Sequence, residues 1–271
     1  MRSRAAKVMR VSNVRTSFGV IGIAANGTDA EPAILFLHGV GSTKEVWQPQ
    51  LDHFRGRRAA IAIDYPGYGE SEFRAGATRD DFARAALAAL DAMGFDTAHV
   101  CGLSLGGVIA IAMHALAPER CRSLILADTF AVHPDGQGIY DRSVAGSGDL
   151  RGFAESRVDF LLAQPADPQV RSEVVETMAR IDPAAYRIGA EAVWLADQRE
   201  RVRAIGVPTL IVCGEDDKPT PPELSRELHA MIPGSRLEMI ASAGHLTNLE
   251  RPDEFNRLLD DFLGGVEARP S

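Results

Sequence analysis

Short runs of consecutive apolar residues alternate along this chain with longer stretches in which apolar positions recur every three or four residues. Residues 33–37, 59–63, 99–103, 123–127 and 208–213 are the continuous runs. Each is bounded by turn formers, the pattern of a strand buried on both faces. Residues 236–240 read as a final strand, and residues 8–14 and 18–24 as an opening antiparallel pair followed by a turn at Asn26-Gly27. The 3.6-residue period predicts helices over 45–54, 78–93, 105–116, 222–231 and 253–263. Thr78 suits an N-cap, Gly94 a stop, and Pro118 limits the helix before it. Strand and helix alternating in this way predict an α/β fold with a mostly parallel, doubly wound sheet.

The pattern changes between residues 129 and 203. Gly136, Gly138, Gly146 and Gly148 predict a loose loop, and amphipathic helical stretches follow at 153–162, 170–181 and 184–196, with no strand run among them. This predicts a helical lid of residues 129–203 inserted into a core made of 1–128 and 204–271. The lid would lie over the carboxyl ends of the strands, where open α/β sheets bind ligands.

Composition narrows the partners. With 271 residues and a formal charge of -8, the chain can bury a large core but lacks the basic field that nucleic acid or an anionic membrane requires. A small molecule is the expected partner; oligomeric state leaves no signature. Cys101, Cys121 and Cys213 are odd in number and lie in or beside strand runs, which argues against a disulfide framework and fits a reducing cytoplasmic setting. The start, residues 1–10, is basic but lacks the apolar run of an export signal. No stretch reaches the roughly 18 apolar residues of a membrane span.

Candidate chemistry centres on Gly102-Leu-Ser104-Leu-Gly106, which fits G-x-S-x-G between a strand and a helix. Such a serine needs a strained turn with small neighbours and stands exposed at the sheet edge. A serine hydroxyl is a weak nucleophile at neutral pH and needs an imidazole within reach. Of seven histidines, His245 follows the last strand in the glycine-bearing loop Ala243-Gly-His245, which makes it the expected base. His53, His114 and His229 fall on predicted helices, His99 begins a strand, and His133 lies in the insertion, placed to touch substrate.

The orienting acid is expected from Gly214-Glu-Asp-Asp217, directly after a strand, with Asp217 preferred and Asp128, after the preceding strand, as its rival. The oxyanion hole is expected from the N–H groups of Leu105, which opens a helix beside Ser104, and Val40, in the loop His38-Gly39-Val40-Gly41. That loop lacks both G-x-G-x-x-G and G-K-[ST], so neither a nucleotide cofactor nor a metal is expected. His38, Gly39, Tyr140, Arg142 and Trp194 are the candidate substrate contacts. Phe130, Ile139, Phe153 and Phe160 could complete an apolar pocket, and Arg142, Arg151 or Arg157 could pair with a substrate carboxylate.

In order and spacing, His38-Gly39, Asp64-Tyr-Pro-Gly-Tyr-Gly69, Gly102-Leu-Ser-Leu-Gly-Gly107, Gly214-Glu-Asp-Asp217 and Gly244-His245 resemble the α/β-hydrolase superfamily across nearly the whole chain. The C-terminal part, notably Asp217-Lys-Pro-Thr-Pro-Pro-Glu223 and Ala243-Gly-His245-Leu-Thr-Asn-Leu-Glu250, resembles 3-oxoadipate enol-lactonases. The resemblance implies an α/β-hydrolase fold and a Ser104, Asp217, His245 triad that opens a small lactone or ester through an acyl-enzyme. Those enzymes tend to carry a tryptophan and arginine pair early in the lid, where this chain has Tyr140-Asp-Arg142. Carboxylesterases, perhydrolases and carbon-carbon bond hydrolases share the motifs, so fold alone does not choose among them. A ligand receptor that keeps the pocket without turnover is the contrasting class.

Overall fold

The computed structural model describes residues 12–29 and 31–268. Strands β1 (Asn13–Thr16) and β2 (Gly19–Ala25) form an antiparallel hairpin. Its turn is fixed by the Thr16 hydroxyl, which donates to the Gly19 carbonyl and accepts from the Phe18 N–H, with Gly19 at φ +86°. The sequence pattern placed the first strand at 8–14; residues 8–11, like the basic start, lie outside the described residues. Six further strands follow: β3 (Ala33–Leu37), β4 (Ala60–Ile63), β5 (Ala98–Leu103), β6 (Cys121–Ala127), β7 (Thr209–Gly214) and β8 (Arg236–Ile240). All eight join in one sheet of order β1-β2-β4-β3-β5-β6-β7-β8. β2 runs antiparallel to β4, and every pairing from β4 to β8 is parallel.

The continuous apolar runs are the central strands, and β3, β4, β5 and β7 are buried at every position. Leu37 lies opposite both Ile63 and Gly102, Leu103 opposite Ala127, and Gly214 opposite Ile240. Parallel pairing therefore brings the ends of β3 to β8 to one edge of the sheet. The segments that begin at His38, Ser104, Asp128, Glu215 and Ala241 all leave from that edge.

Helices α1 (Gln48–His53), α2 (Arg79–Met93) and α3 (Leu105–Leu116) alternate with the strands. α2 starts at Thr78 with a capping box to Asp81 and stops at Gly94, whose φ is +81°; each device satisfies end groups the helix cannot pair internally. Between β6 and β7 the chain forms α4 (Gly136–Gly146), α5 (Leu150–Leu161), α6 (Pro168–Met178), α7 (Pro183–Trp194) and the short α8 (Arg199–Arg203). The insertion is helical as the sequence pattern predicts, but residues 136–146 are a helix where glycine suggested a loop. Close packing explains those glycines. A Cβ at Gly136 would stand 2.1 Å from the Trp194 carbonyl oxygen, and one at Gly146 would stand 2.3 Å from the Phe153 ring. After β7 come α9 (Pro222–Met231), α10 (Thr247–Glu250) and α11 (Pro252–Glu267). α2, α3, α8 and α9 form one contiguous layer, and α1, α10 and α11 form another. Among the described residues no helix is long and apolar enough to cross a membrane.

One buried ion pair fixes the loop after β3. The fully buried Asp64, at the end of β4, accepts from the Lys44 N–H at 2.8 Å, the Lys44 ammonium at 2.7 Å and the Glu70 N–H at 3.0 Å. The loop that carries Val40 is thereby tied to the neighbouring strand. Removing one partner of a buried pair leaves the other charge uncompensated. Lys44→Met should therefore cost about 3–5 kcal/mol in urea unfolding. A loss under about 1 kcal/mol, the size of an exposed pair, would show that Lys44 does not anchor the loop.

Candidate active site

Ser104 occupies the turn between β5 and α3 with φ +55° and ψ -114°, a backbone conformation that costs a non-glycine residue of order 1–3 kcal/mol. Neighbouring close approaches require that turn. A Cβ at Gly102 would fall 2.1 Å from the Gly106 carbonyl oxygen, and one at Gly106 would fall 2.0 Å from that of Leu37. Hydrogen bonds hold it in place: the Ser104 N–H donates to Ala127, and the Ser104 carbonyl accepts from Gly107, Val108 and the Thr129 hydroxyl.

The Ser104 hydroxyl lies 3.0 Å from His245 Nε2. On the other side of the ring, Nδ1 lies 3.1 and 3.0 Å from the two oxygens of Asp217. The remaining capacity of Asp217 is taken by Thr220, whose N–H donates at 2.9 Å and whose hydroxyl donates at 2.6 Å. All three side chains are buried. Burial works against a charged imidazole, yet the charge and hydrogen bond of Asp217, with Asp128 behind it, outweigh burial and raise the His245 pKa above its ordinary value. Four of the other histidines are engaged elsewhere: His53 with Asp260, His99 with Ser123, His133 with the Pro219 carbonyl and His229 with Ser235.

Asp128 takes a different place from Asp217. It accepts from the Gly214 N–H at 3.0 Å and the Thr247 hydroxyl at 2.6 Å, so it ties the loop of Asp217 to the loop of His245. Burial first, and the nearby Asp217 charge second, push its carboxyl well above the usual range. Asp128, Cys213 and Asp217 bring potential metal-ligand atoms within 4.8 Å of one another. Hydrogen bonds already engage both carboxylates, and burial pushes the Cys213 thiol up, which keeps it protonated. The histidine loop is braced from the helical insertion as well. The His245 N–H donates to Leu161, and Glu250 accepts from the N–H groups of Ala163, Gly244 and Leu246. Thr220, Asp128 as a tie, and Glu250 escaped the sequence reading. The one signal that could have found Thr220 is its position three residues beyond Asp217, where a carboxylate reaches a following N–H.

Val40, Ser104, Trp194 and His245 line one cavity of about 80 Å³ together with Gly39 and Arg157. Leu105 opens α3, so its N–H has no acceptor within the helix. The loop of Val40 runs close by, since a Cβ at Gly39 would lie 3.6 Å from the Ser104 Cβ. Trp194 is stacked on Phe130 and edged by His133. Three expected substrate contacts lie elsewhere. His38 is fully buried behind the loop against Tyr65 and Tyr68, and its charge is disfavoured by burial. Tyr140 is half-buried against the core and does not line the cavity. Arg142 is exposed, pairs with Asp135 at 2.7 Å, and faces a separate outer groove. Their positions in the sequence carried no information about which way they face.

Comparison with known proteins agrees with this architecture. Residues 32–252 match the family model described as alpha/beta hydrolase fold. The chain is 26% identical to 3-oxoadipate enol-lactonase 1 of Acinetobacter baylyi, an alignment that covers 91% of this chain and 94% of that one. It is 29% identical to carboxylesterase YbfK of Bacillus subtilis, over 94% of this chain and 88% of that one. The crystal structure of the enol-lactonase from Burkholderia xenovorans superposes with a TM-score of 0.86 at 23% identity, covering 93% of this chain and 99% of that one, a likeness of fold. The relatives thus include esterases and lactonases, and the family match over most of its length makes this chain a member of the α/β-hydrolase family.

Proposed function

We propose that the protein is a serine hydrolase that opens a small carboxylic ester or lactone through an acyl-enzyme. The observation that carries this reading is the continuous link from Ser104 through His245 to Asp217 on the wall of a cavity. In the first half-reaction Ser104 Oγ forms a bond to the substrate carbonyl carbon while its proton passes to His245 Nε2. The oxyanion is met by the N–H groups of Leu105 and Val40 and by the positive end of α3. The bond from carbonyl carbon to leaving oxygen then breaks, and that oxygen takes the proton from His245. Water repeats the sequence: its oxygen joins the acyl carbon, its proton moves to His245 and then to Ser104 Oγ, and the acid departs. Residues 129–203 serve as the lid that shields these steps from solvent.

Within this class we favour an enol-lactone of the kind named for the Acinetobacter relative. A general carboxylesterase is the second reading, favoured by the apolar side chains of Val46, Leu161, Val174 and Met178 around the cavity and by the Bacillus relative. A panel of carboxylated enol-lactones, neutral lactones and short p-nitrophenyl esters separates them through kcat/KM. The carboxylated enol-lactone should win; a wide margin for neutral short-chain esters would leave a general carboxylesterase.

The acid assignment has its own test, and it includes the pH profile. Catalysis needs neutral His245, and Asp217 raises the imidazole pKa. kcat/KM should therefore climb with rising pH through an inflection above the ordinary histidine value of about 6.5. Asp217→Asn should lower kcat about 10⁴-fold and move any residual inflection downward. Asp128→Asn should be mild, because the amide can still accept from Gly214 and donate to Thr247. Loss of activity in Asp128→Asn with little loss in Asp217→Asn would transfer the role to Asp128, provided circular dichroism shows both variants folded.

A further inference from the structure

Three arginines of the helical insertion were open as partners for a substrate carboxylate, and the structure separates them. Arg142 is spent on Asp135, and Arg151 makes two hydrogen bonds to Glu176 at 2.7 and 2.8 Å; both pairs stand in solvent. Arg157, on α5, has no carboxylate partner among the described residues, although burial disfavours its charge and that of Arg142 adds to the effect. Its guanidinium lies over the Phe153 ring, 5.1 Å from the centroid. That contact engages no hydrogen-bond acceptor, so the N–H donors remain free for a carboxylate, which a guanidinium can take in a two-toothed grip.

Its position adds a second, independent reason. Arg157 borders the cavity that holds Ser104 and His245, and with Trp194 and Pro219 it also borders an outer groove of about 720 Å³. It therefore stands in the wall between the two. Its charge reaches the reacting groups, since it acts to lower the His245 pKa against the pull of Asp217. Glu173, which also lines the inner cavity, is exposed and makes no ion pair with it. An inner space of about 80 Å³ suits a short acyl chain, smaller than the roughly 150 Å³ that holds a benzene ring. Arg157 lies on the side of that space that adjoins the outer groove, within the region a longer acyl chain could enter.

We propose that Arg157 is the specificity residue that binds a carboxylate at the far end of the acyl part of the substrate, so that the enzyme prefers monoanionic esters or lactones to neutral ones. This assignment rests on the serine hydrolase reading and moves carboxylate recognition away from Arg142. It also links two otherwise separate features, the half-buried cation without a carboxylate partner and the Ser104 cavity. Arg157 touches the part of the substrate remote from the reacting carbonyl, so its contribution should appear chiefly in KM.

The test compares p-nitrophenyl monoesters of succinate, glutarate and adipate with p-nitrophenyl valerate, which lacks the second carboxylate. The unmodified protein should prefer at least one monoanionic ester by kcat/KM. Arg157→Met keeps much of the apolar stem and should cut that preference ratio about 10- to 100-fold, the loss expected for a hydrogen-bonded ion pair, mainly through KM. Arg157→Lys should restore only part of it. Free glutarate should also compete with valerate ester hydrolysis in the unmodified protein more strongly than glutaramide, a readout that does not depend on any variant folding. An unchanged preference ratio in Arg157→Met, or equal competition by glutarate and its diamide, would overturn the assignment while leaving Ser104-dependent turnover of the valerate ester intact. Turnover of none of the esters, or turnover that survives Ser104→Ala, would overturn the hydrolase reading and this assignment with it.

Discussion

Everything at the carboxyl edge of this sheet depends on one strained turn. Ser104 is held at φ +55° because the carbonyl oxygens of Leu37 and Gly106 stand where side chains at Gly106 and Gly102 would have to be. A strain of order 1–3 kcal/mol persists only when its surroundings over-determine it. Here the surroundings are hydrogen bonds from Thr129, Gly107 and Val108 to the Ser104 carbonyl and from the Ser104 N–H to Ala127. The turn lifts the hydroxyl out of the sheet and starts α3 at the next residue. One steric constraint thereby supplies both a hydroxyl that faces the cavity and a helical N–H beside it that has no acceptor within the helix.

The second layer is electrostatic. Two carboxylates lie close together, and their surroundings give them different work. Asp217 faces an imidazole and two donors from Thr220, whereas Asp128 faces a backbone N–H and a threonine hydroxyl. Asp128 thus fixes the spacing of the two loops whose side chains must meet. Glu250 extends the bracing to the end of α5, so the histidine loop and the helical insertion are held by shared bonds. Rotation of that insertion as a rigid unit would have to break the hydrogen bond from Ala163 to Glu250.

Much of this was legible in the sequence because the relevant signals are local. Continuous apolar runs mark the central strands, the capping box at Thr78 and the stop at Gly94 mark α2, and G-x-S-x-G with its strand and helix marks the Ser104 turn. The order of Ser104, Asp217 and His245 along the chain placed three distant residues at one sheet edge, and the register shows why they meet. What escaped depends on direction and on packing partners. His38 and Tyr140 turn away from the cavity, Gly136 and Gly146 are glycines because a carbonyl and a ring crowd them, and Thr220 matters because of which oxygen it reaches. Which arginine lacks an acid partner is likewise a property of the assembled helices, since Arg151 meets Glu176 on a different helix.

A Ser104 nucleophile activated by His245 should react covalently with an electrophilic phosphonate. Treatment with a fluorophosphonate, followed by intact-protein mass spectrometry and peptide mapping, should give one adduct on Ser104 that His245→Ala largely suppresses. No adduct under conditions that label a control esterase, or an adduct on another residue, would contradict the account.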